Sequence, residues 1–259
     1  MKRIYFAALV GLFGCVSALS AQGRSELLLE KNWKFTREDN NEFIKPAFDD
    51  SKWQSVTVPH DWAIYGPFSS LNDKQEVAIS QDGQKEAMEH AGRTGGLPFV
   101  GVGWYRTEFD VPQFQAGKRA TILFDGAMSH ANVYINGQKV GYWPYGYNSF
   151  HFDITKYLKP GKNTVAIHVL KYSDGYYLEG QDYWRLAGIF DDVWLYATPS
   201  VRLFDWYVVT DLDDTYTDAD LKLQVDIKKY TEEVSIDYRL KVQLWDDRKE
   251  LVTELNSDP

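Results

Sequence analysis

Cysteine is nearly absent from this chain: 259 residues carry one, Cys15. It lies in the opening segment "MKRIYFAALVGLFGCVSALSAQ". The rest of the chain therefore has no disulfide, no cysteine metal site and no thiol nucleophile. A basic excess is absent too. Lys and Arg number 28 against 37 Asp and Glu, a net charge of −9. No basic stripe is visible, which excludes a nucleic-acid partner, since phosphate binding needs clustered Lys and Arg. There is no Gly-x-Ser-x-Gly, no phosphate loop and no His-Glu-x-x-His, so serine hydrolase, nucleotide and zincin chemistries have no motif here. No sustained helical period runs through the chain.

What the chain has is aromatic side chains and short alternating runs. It is 44% hydrophobic and 15% aromatic, with 9 Trp and 17 Tyr. That allows a substantial core, and rings also suit stacking on flat or ring-shaped ligands. The N-terminus reads as an export leader: Lys2 and Arg3, an apolar run too short for a membrane span, then small residues at Val16-Ser17-Ala18 and Leu19-Ser20-Ala21. "LFGC" also resembles a lipoprotein box with Cys15 as the lipid-bearing residue. Phe13 is bulky for that pattern, so cleavage near Ala21 is the preferred reading. A periplasmic or extracellular location is expected.

From about Gly103 the pattern is β. Tyr105, Thr107, Phe109 and Val111 share one side of "WYRTEFDV". "ANVYINGQKVGYW" is a hairpin, with Asn136-Gly137 suited to a two-residue primed turn. "ATILFDG", "FHFDIT", "NTVAIHVLKY" and "DVWLYATP" continue it, with Pro160-Gly161 as a breaker. Short strands with turn signals between them predict an all-β fold, an antiparallel sandwich or jelly roll. Pro67–Pro98 is polar and reads as a long excursion, with a short helix near Lys85–His90. After Pro199, "VRLFDWYVVTDL", "ADLKLQVDIKKY" and "SIDYRLKVQLWDD" read as three strands of a new unit. An immunoglobulin-like sandwich takes about 100 residues, so residues 200–259 are expected to be part of one, and the chain the N-terminal portion of a longer protein. The expected division is 1–21 leader, 22–199 sandwich and 200–259 partial second sandwich.

Each candidate site also has a plainer structural role. "DLDDTYTDAD" has Tyr216 and Lys222 where a calcium loop from Asp211 needs Gly and Glu, so a solvated turn is favoured. His60 beside Asp61 is expected to make a structural hydrogen bond, and His168 to be a packed or partly exposed strand residue. His90, His130 and His151 have no assigned role. No acid pair can be given acid and base roles from spacing alone, because such carboxyls must flank a bond at about 5–9 Å. The stretch "YSDGYYLEGQDYWRLAGIF" (172–190) is the richest. Ser173-Asp174-Gly175 signals a turn at a strand end. Asp174 there is free to accept hydroxyl hydrogen bonds or to ligate a hard cation. Tyr176, Tyr177, Tyr183 and Trp184 offer a wall for a sugar, and Arg185 lies near Asp182 and Asp191. Composition alone leaves a packed loop and a ligand site equally open.

That same segment, extended to "YATP", resembles the signature of the glycoside hydrolase family 2 N-terminal sugar-binding domain, in its β-galactosidase branch. "VPHDWAIYGPF", "GVGWYRTEFDVP", "ILFDGAMSHANVYINGQKVGY" and "FHFDITKYLKPGKNTVAIHV" fit it in order. The resemblance covers about 26–199, and the later strands resemble the family's next, immunoglobulin-like domain. It implies a jelly roll packed against a (β/α)8 barrel that carries the two glutamates of retaining hydrolysis. A barrel takes about 250 residues, so neither glutamate falls in this chain, which is expected to be inactive alone. By resemblance, Asp174 reaches sugar hydroxyls, with Tyr176 beside it, and Asp174 helps hold a sodium ion. No other cofactor is implied in this chain, and magnesium belongs to the full-length family enzyme. The implied partners are a β-galactoside or related oligosaccharide and the catalytic barrel. Val100 stands where some members carry a substrate-touching asparagine, and Asp191 where the family has Arg. A stand-alone carbohydrate-binding module, a protein-interaction fragment, and a β-glucuronidase or β-mannosidase type are the alternatives.

Overall fold

The computed structural model of the chain describes residues 11–13, 24–62, 101–110, 118–171, 173–178, 186–230 and 238–257. They divide into two compact units, Arg24–Thr198 and one built on Pro199–Pro259. In chain order the strands begin with β1 (Gly11–Phe13), β2 (Ser25–Leu28), β3 (Trp33–Thr36), β4 (Gln54–Val56) and β5 (His60–Asp61). Then come β6 (Val102–Asp110), β7 (Lys118–Phe124), β8 (His130–Ile135), β9 (Gln138–Trp143), β10 (Phe150–Asp153), β11 (Lys162–Leu170), β12 (Gly188–Ile189) and β13 (Val193–Pro199).

The first unit is a sandwich. One sheet runs β10-β7-β13-β2 and the other β4-β3-β6-β11-β8-β9. β11 lies antiparallel to β6 on one side and β8 on the other. The inner faces alternate as a half-buried strand requires. Tyr105 and Phe109 of β6, Val165, Ile167 and Val169 of β11, and Val133 and Ile135 of β8 meet Ile122, Phe124, Phe150, Val193 and Leu195 in one core. The predicted turn is present: Asn136 (φ 51°) and Gly137 (φ 82°) join β8 to β9. The Asn136 side chain donates to the Tyr157 carbonyl at 2.9 Å and accepts from the Thr164 N–H at 3.0 Å, so the hairpin tip is tied to the neighbouring turn.

The outer face of β6 is buried as well, so its central residues do not alternate in burial. Phe43, Trp104 and Ala166 form a second cluster with Ile44, Phe48, Trp53 and Tyr134. A 3-10 turn, Asn41–Ile44, and the chain after it form the cover. Buried Arg106 fixes that cover, pairing with Asp50 at 2.8 Å and donating to the Phe43 and Lys45 carbonyls.

In the second unit β14 (Val201–Leu212) pairs with β15 (Ala219–Lys229), and β16 (Arg239–Trp245) lies between β1 and β17 (Leu251–Asn256). Three of these strands match the sequence expectation, and "LVTELN" adds a fourth. All pairings of this unit are antiparallel. The expected leader, Cys15, Pro67–Pro98 and Val100 lie outside the described residues, apart from the short strand 11–13.

Candidate functional site

Asp174 sits just beyond the end of β11. There the chain enters a 3-10 turn, Asp174–Tyr177, closed by the Leu178 N–H on the Gly175 carbonyl. Two adjacent residues, Met128 and Ser129, staple both ends of the loop that carries this turn. At the near end the Ser129 N–H donates to the Leu170 carbonyl at 2.8 Å, and the Ser129 and Ser173 hydroxyls share a hydrogen bond of 3.0 Å. At the far end Met128 and Gly188 exchange backbone hydrogen bonds. The Lys171 N–H donates to Gly101, and Lys171 itself is buried.

The far end is held again by β5, which pairs with β12. The buried Asp61 carboxylate accepts the Ala187 N–H at 2.9 Å, and the Trp62 N–H donates to the Ala187 carbonyl. His60 Nδ1 and the Tyr105 hydroxyl share a 2.8 Å hydrogen bond, the structural role its sequence context favoured. Burial lowers the His60 pKa to about 4, so the ring is neutral near pH 7. Gly188 has φ +120°, and a Cβ there would fall 2.6 Å from the His60 carbonyl. Only glycine fits a strand drawn this close.

The result is a rigidly based turn with an exposed acid. Asp174 is exposed, and among the described residues its carboxylate makes no hydrogen bond or ion pair. Its charge is felt by His130: burial lowers the His130 pKa first, the Asn132 hydrogen bond opposes this, Lys139 adds to the lowering, and Asp174 opposes it. His130 stacks on Tyr142, with centroids 5.4 Å apart and rings within 5° of parallel. His168 stacks on Trp104 at 4.6 Å, and its Nε2 lies 3.5 Å from Asp39. Burial lowers the His168 pKa as well.

Two open grooves, about 370 and 430 Å³, lie beside the outer cover near Arg106 and near Trp53. Neither includes Asp174, which is exposed. Among the described residues no three His, Cys, Asp or Glu side chains converge to hold a metal ion.

Tyr176 lies within the turn. Asp182, Tyr183, Trp184 and Arg185 are outside the described residues. Asp191 is described, and its carboxylate accepts the Asp192 N–H. Within the 211–220 segment, residues 213–218 form the turn between β14 and β15, organised by Asp213, which accepts from the Thr215 hydroxyl and the Thr217 and Asp218 N–H groups. Sequence reasoning missed Ser129, Asp61 and His130 as neighbours of the loop. Their contacts bridge 44 residues for Ser129–Ser173 and 126 for Asp61–Ala187, and no local pattern reports them.

The unit is thus an antiparallel sandwich that carries an exposed, acid-bearing turn at a strand end, and comparison with known proteins narrows that class. The profile described as "Glycosyl hydrolases family 2, sugar binding domain" matches residues 27–199. The chain belongs to that family. It is 34% identical over 223 residues to a β-galactosidase of Priestia megaterium, covering 84% of this chain and 21% of that protein. It is 38% identical over 146 residues to a "Putative beta-glucuronidase" of Formosa agariphila, covering 56% of this chain and 12% of that one. Among solved structures, a β-glucuronidase of an uncultured Clostridium species superimposes with a TM-score of 0.66 at 23% identity, covering 95% of this chain and 40% of that chain. That likeness shows the fold. The chain spans about a fifth of the length of its β-galactosidase relatives. No helix among the described residues is long and apolar enough to cross a membrane.

Proposed function

We propose that this chain is the N-terminal part of an exported, retaining β-galactosidase-like glycosidase, and that Asp174 reaches sugar hydroxyls at the edge of a pocket completed by a catalytic barrel outside this chain. The observation that carries the reading is the Asp174 carboxylate, exposed on a turn stapled at both ends and unengaged among the described residues. Hydrogen bonds to a charged acceptor contribute about 1.5–3 kcal/mol each, so one acid so placed can hold a sugar while glutamates of the barrel do the chemistry. Asp174 is also proposed as one ligand of a sodium ion. Tyr176, in the same turn, is proposed as its companion at the sugar. The family's accessory role and the absence of an assignable acid pair support an inactive isolated chain. Export rests on the leader-like residues 1–21.

The Formosa agariphila relative favours a second reading of specificity, a β-glucuronidase type. Assays of the longer protein on nitrophenyl β-galactoside and β-glucuronide separate the two. In that protein Asp174→Ala is expected to raise KM on the preferred substrate about 10- to 100-fold, the loss of one charged hydrogen bond. It should also abolish any sodium dependence and leave the unfolding midpoint unchanged. Kinetics identical to the parent at every sodium concentration would overturn the assignment.

A further inference from the structure

Ser173 stands at the N-terminal cap of the Asp174 turn. A serine there ordinarily accepts a hydrogen bond from one of the turn's own N–H groups. Ser173 makes no such bond. Its hydroxyl is turned instead to the Ser129 hydroxyl, 44 residues away in sequence, at 3.0 Å. Proton supply fixes the direction of that bond. The Ser129 hydroxyl has one hydrogen and donates it to the Leu170 carbonyl at 3.3 Å. Its oxygen still has lone pairs to accept with, so Ser173 is the donor and Ser129 the acceptor. Both bonds are then made, whereas the reverse direction would leave the Leu170 bond unmade.

A local cap would tie the turn only to itself. The bond to Ser129 ties it to the sheet. Ser129 is 3% exposed and directly precedes β8, and its N–H also donates to the Leu170 carbonyl at 2.8 Å. Leu170 is the last residue of β11, and Lys171 after it donates its N–H to the Gly101 carbonyl at 3.0 Å. Ties at Leu170, Lys171 and Ser173 thus lead up to Asp174, and the one that adjoins it is made by side chains. The Asp174 carboxylate is exposed and has no hydrogen bond of its own among the described residues. Its aim is therefore set by the backbone that carries it, and a displacement of about 1 Å is enough to spoil a binding geometry.

We propose that Ser129 is a positioning residue for Asp174: through Ser173 it sets where the carboxylate meets a sugar hydroxyl. This rests on the Asp174 reading above and deepens it. The turn gives up its own cap, and the acid it carries is aimed by a residue of another strand's edge.

The test uses the longer protein with the nitrophenyl glycoside it prefers, together with hydrogen exchange at the Leu178 N–H that closes the turn. Ser129→Ala and Ser173→Ala are each expected to raise KM about three- to tenfold, the loss of one neutral hydrogen bond. Their kcat should stay within about twofold of the parent, because binding and not chemistry is disturbed. The double variant should be no worse than either single one, since both remove the same bond. Leu178 exchange should quicken in both serine variants. In an Asp174→Ala background, Ser129→Ala should leave KM where it stands, which a merely structural role would not do. An Asp174→Ala variant with the parent's KM would overturn the Asp174 reading and this role with it. A raised KM in Asp174→Ala, with the parent's KM and exchange in both serine variants, would overturn this role alone. So would effects that multiply in the double variant, or a Ser129→Ala effect that persists in the Asp174→Ala background.

Discussion

The two units of the chain use the same ladder chemistry and reach opposite states of burial. In the sandwich, strands of nine residues or fewer enclose a continuous core, with Trp33, Tyr105, Ile167 and Leu195 fully buried. In the second unit β14 and β15 are longer, 12 and 11 residues, yet Val201 is the one buried residue among the described positions 199–257. Their pairing brings Trp206 opposite Val225 and Val208 opposite Leu223, an apolar face that is only half-buried, with Trp206 exposed. Backbone ladders fix register, but stability comes from covering the apolar face. The comparison therefore predicts that side-chain truncation will be costly in one unit and nearly free in the other.

The largest effect is expected at Trp33. Its ring is fully buried, its edge meets Tyr105, and its Nε1 donates to the Leu29 carbonyl at 2.7 Å. Trp33→Ala should cost about 3–5 kcal/mol in urea unfolding, through the cavity and the orphaned carbonyl. A loss below about 1 kcal/mol would erase the distinction between the units.

A change of pH sharpens the comparison next. The His60 pKa is about 4 in the folded chain, below its ordinary value of about 6.5, because of burial. The unfolded chain thus binds more protons between those values. The stabilisation is complete above pH 6.5 and is lost as pH falls toward 4. His130 and His168 shift in the same direction, also through burial. The second unit contains no histidine. Its shifted groups, such as Asp213 and Glu254, are carboxylates lowered by hydrogen bonds from Thr215 and Lys241 respectively, and these lose stabilisation only at still lower pH. Between pH 6.5 and 4.5, hydrogen exchange should show β11 losing protection by about 1 kcal/mol, the full linkage discounted for partial solvent screening. β14 should change little. Equal loss in both units would contradict the assignment to His60.

How much of this was legible in sequence depends on how local the cause is. The Asn136-Gly137 turn, the alternation of Tyr105, Thr107 and Phe109, and the Ser173-Asp174-Gly175 turn are written in neighbouring residues, and they appear as read. Strands β2 to β5 were not read, because runs of two to four residues give period-2 analysis too little to count. The cover over Trp104 and Arg106 was also invisible. Alternation reports one buried face, and here a segment some 60 positions earlier buries the other. At the site, Asp174 announced itself by its turn chemistry, whereas His130 joined it only through the pairing of β8 with β11, where it lies opposite Leu170. The stapling of both loop ends by Met128 and Ser129 likewise exists only once the sheets have formed.

The smallest expected effect completes the comparison. Trp206 is 54% exposed in the middle of β14, so replacing it by Ser removes little buried area and leaves no cavity. The change in unfolding free energy should stay within about 0.5–1 kcal/mol, well below the loss at Trp33 although the same residue type is removed. Stability is then a poor probe of what Trp206 does, and exposure is a better one. An apolar face left open to water binds hydrophobic dyes, and Trp206 is the largest ring on that face. Trp206→Ser should therefore lower the fluorescence of a bound naphthalene-sulfonate dye by roughly half while the urea midpoint stays within error. If instead the midpoint falls by as much as in Trp33→Ala, the β14–β15 face is covered in solution, and the contrast between the two units is not a property of the chain.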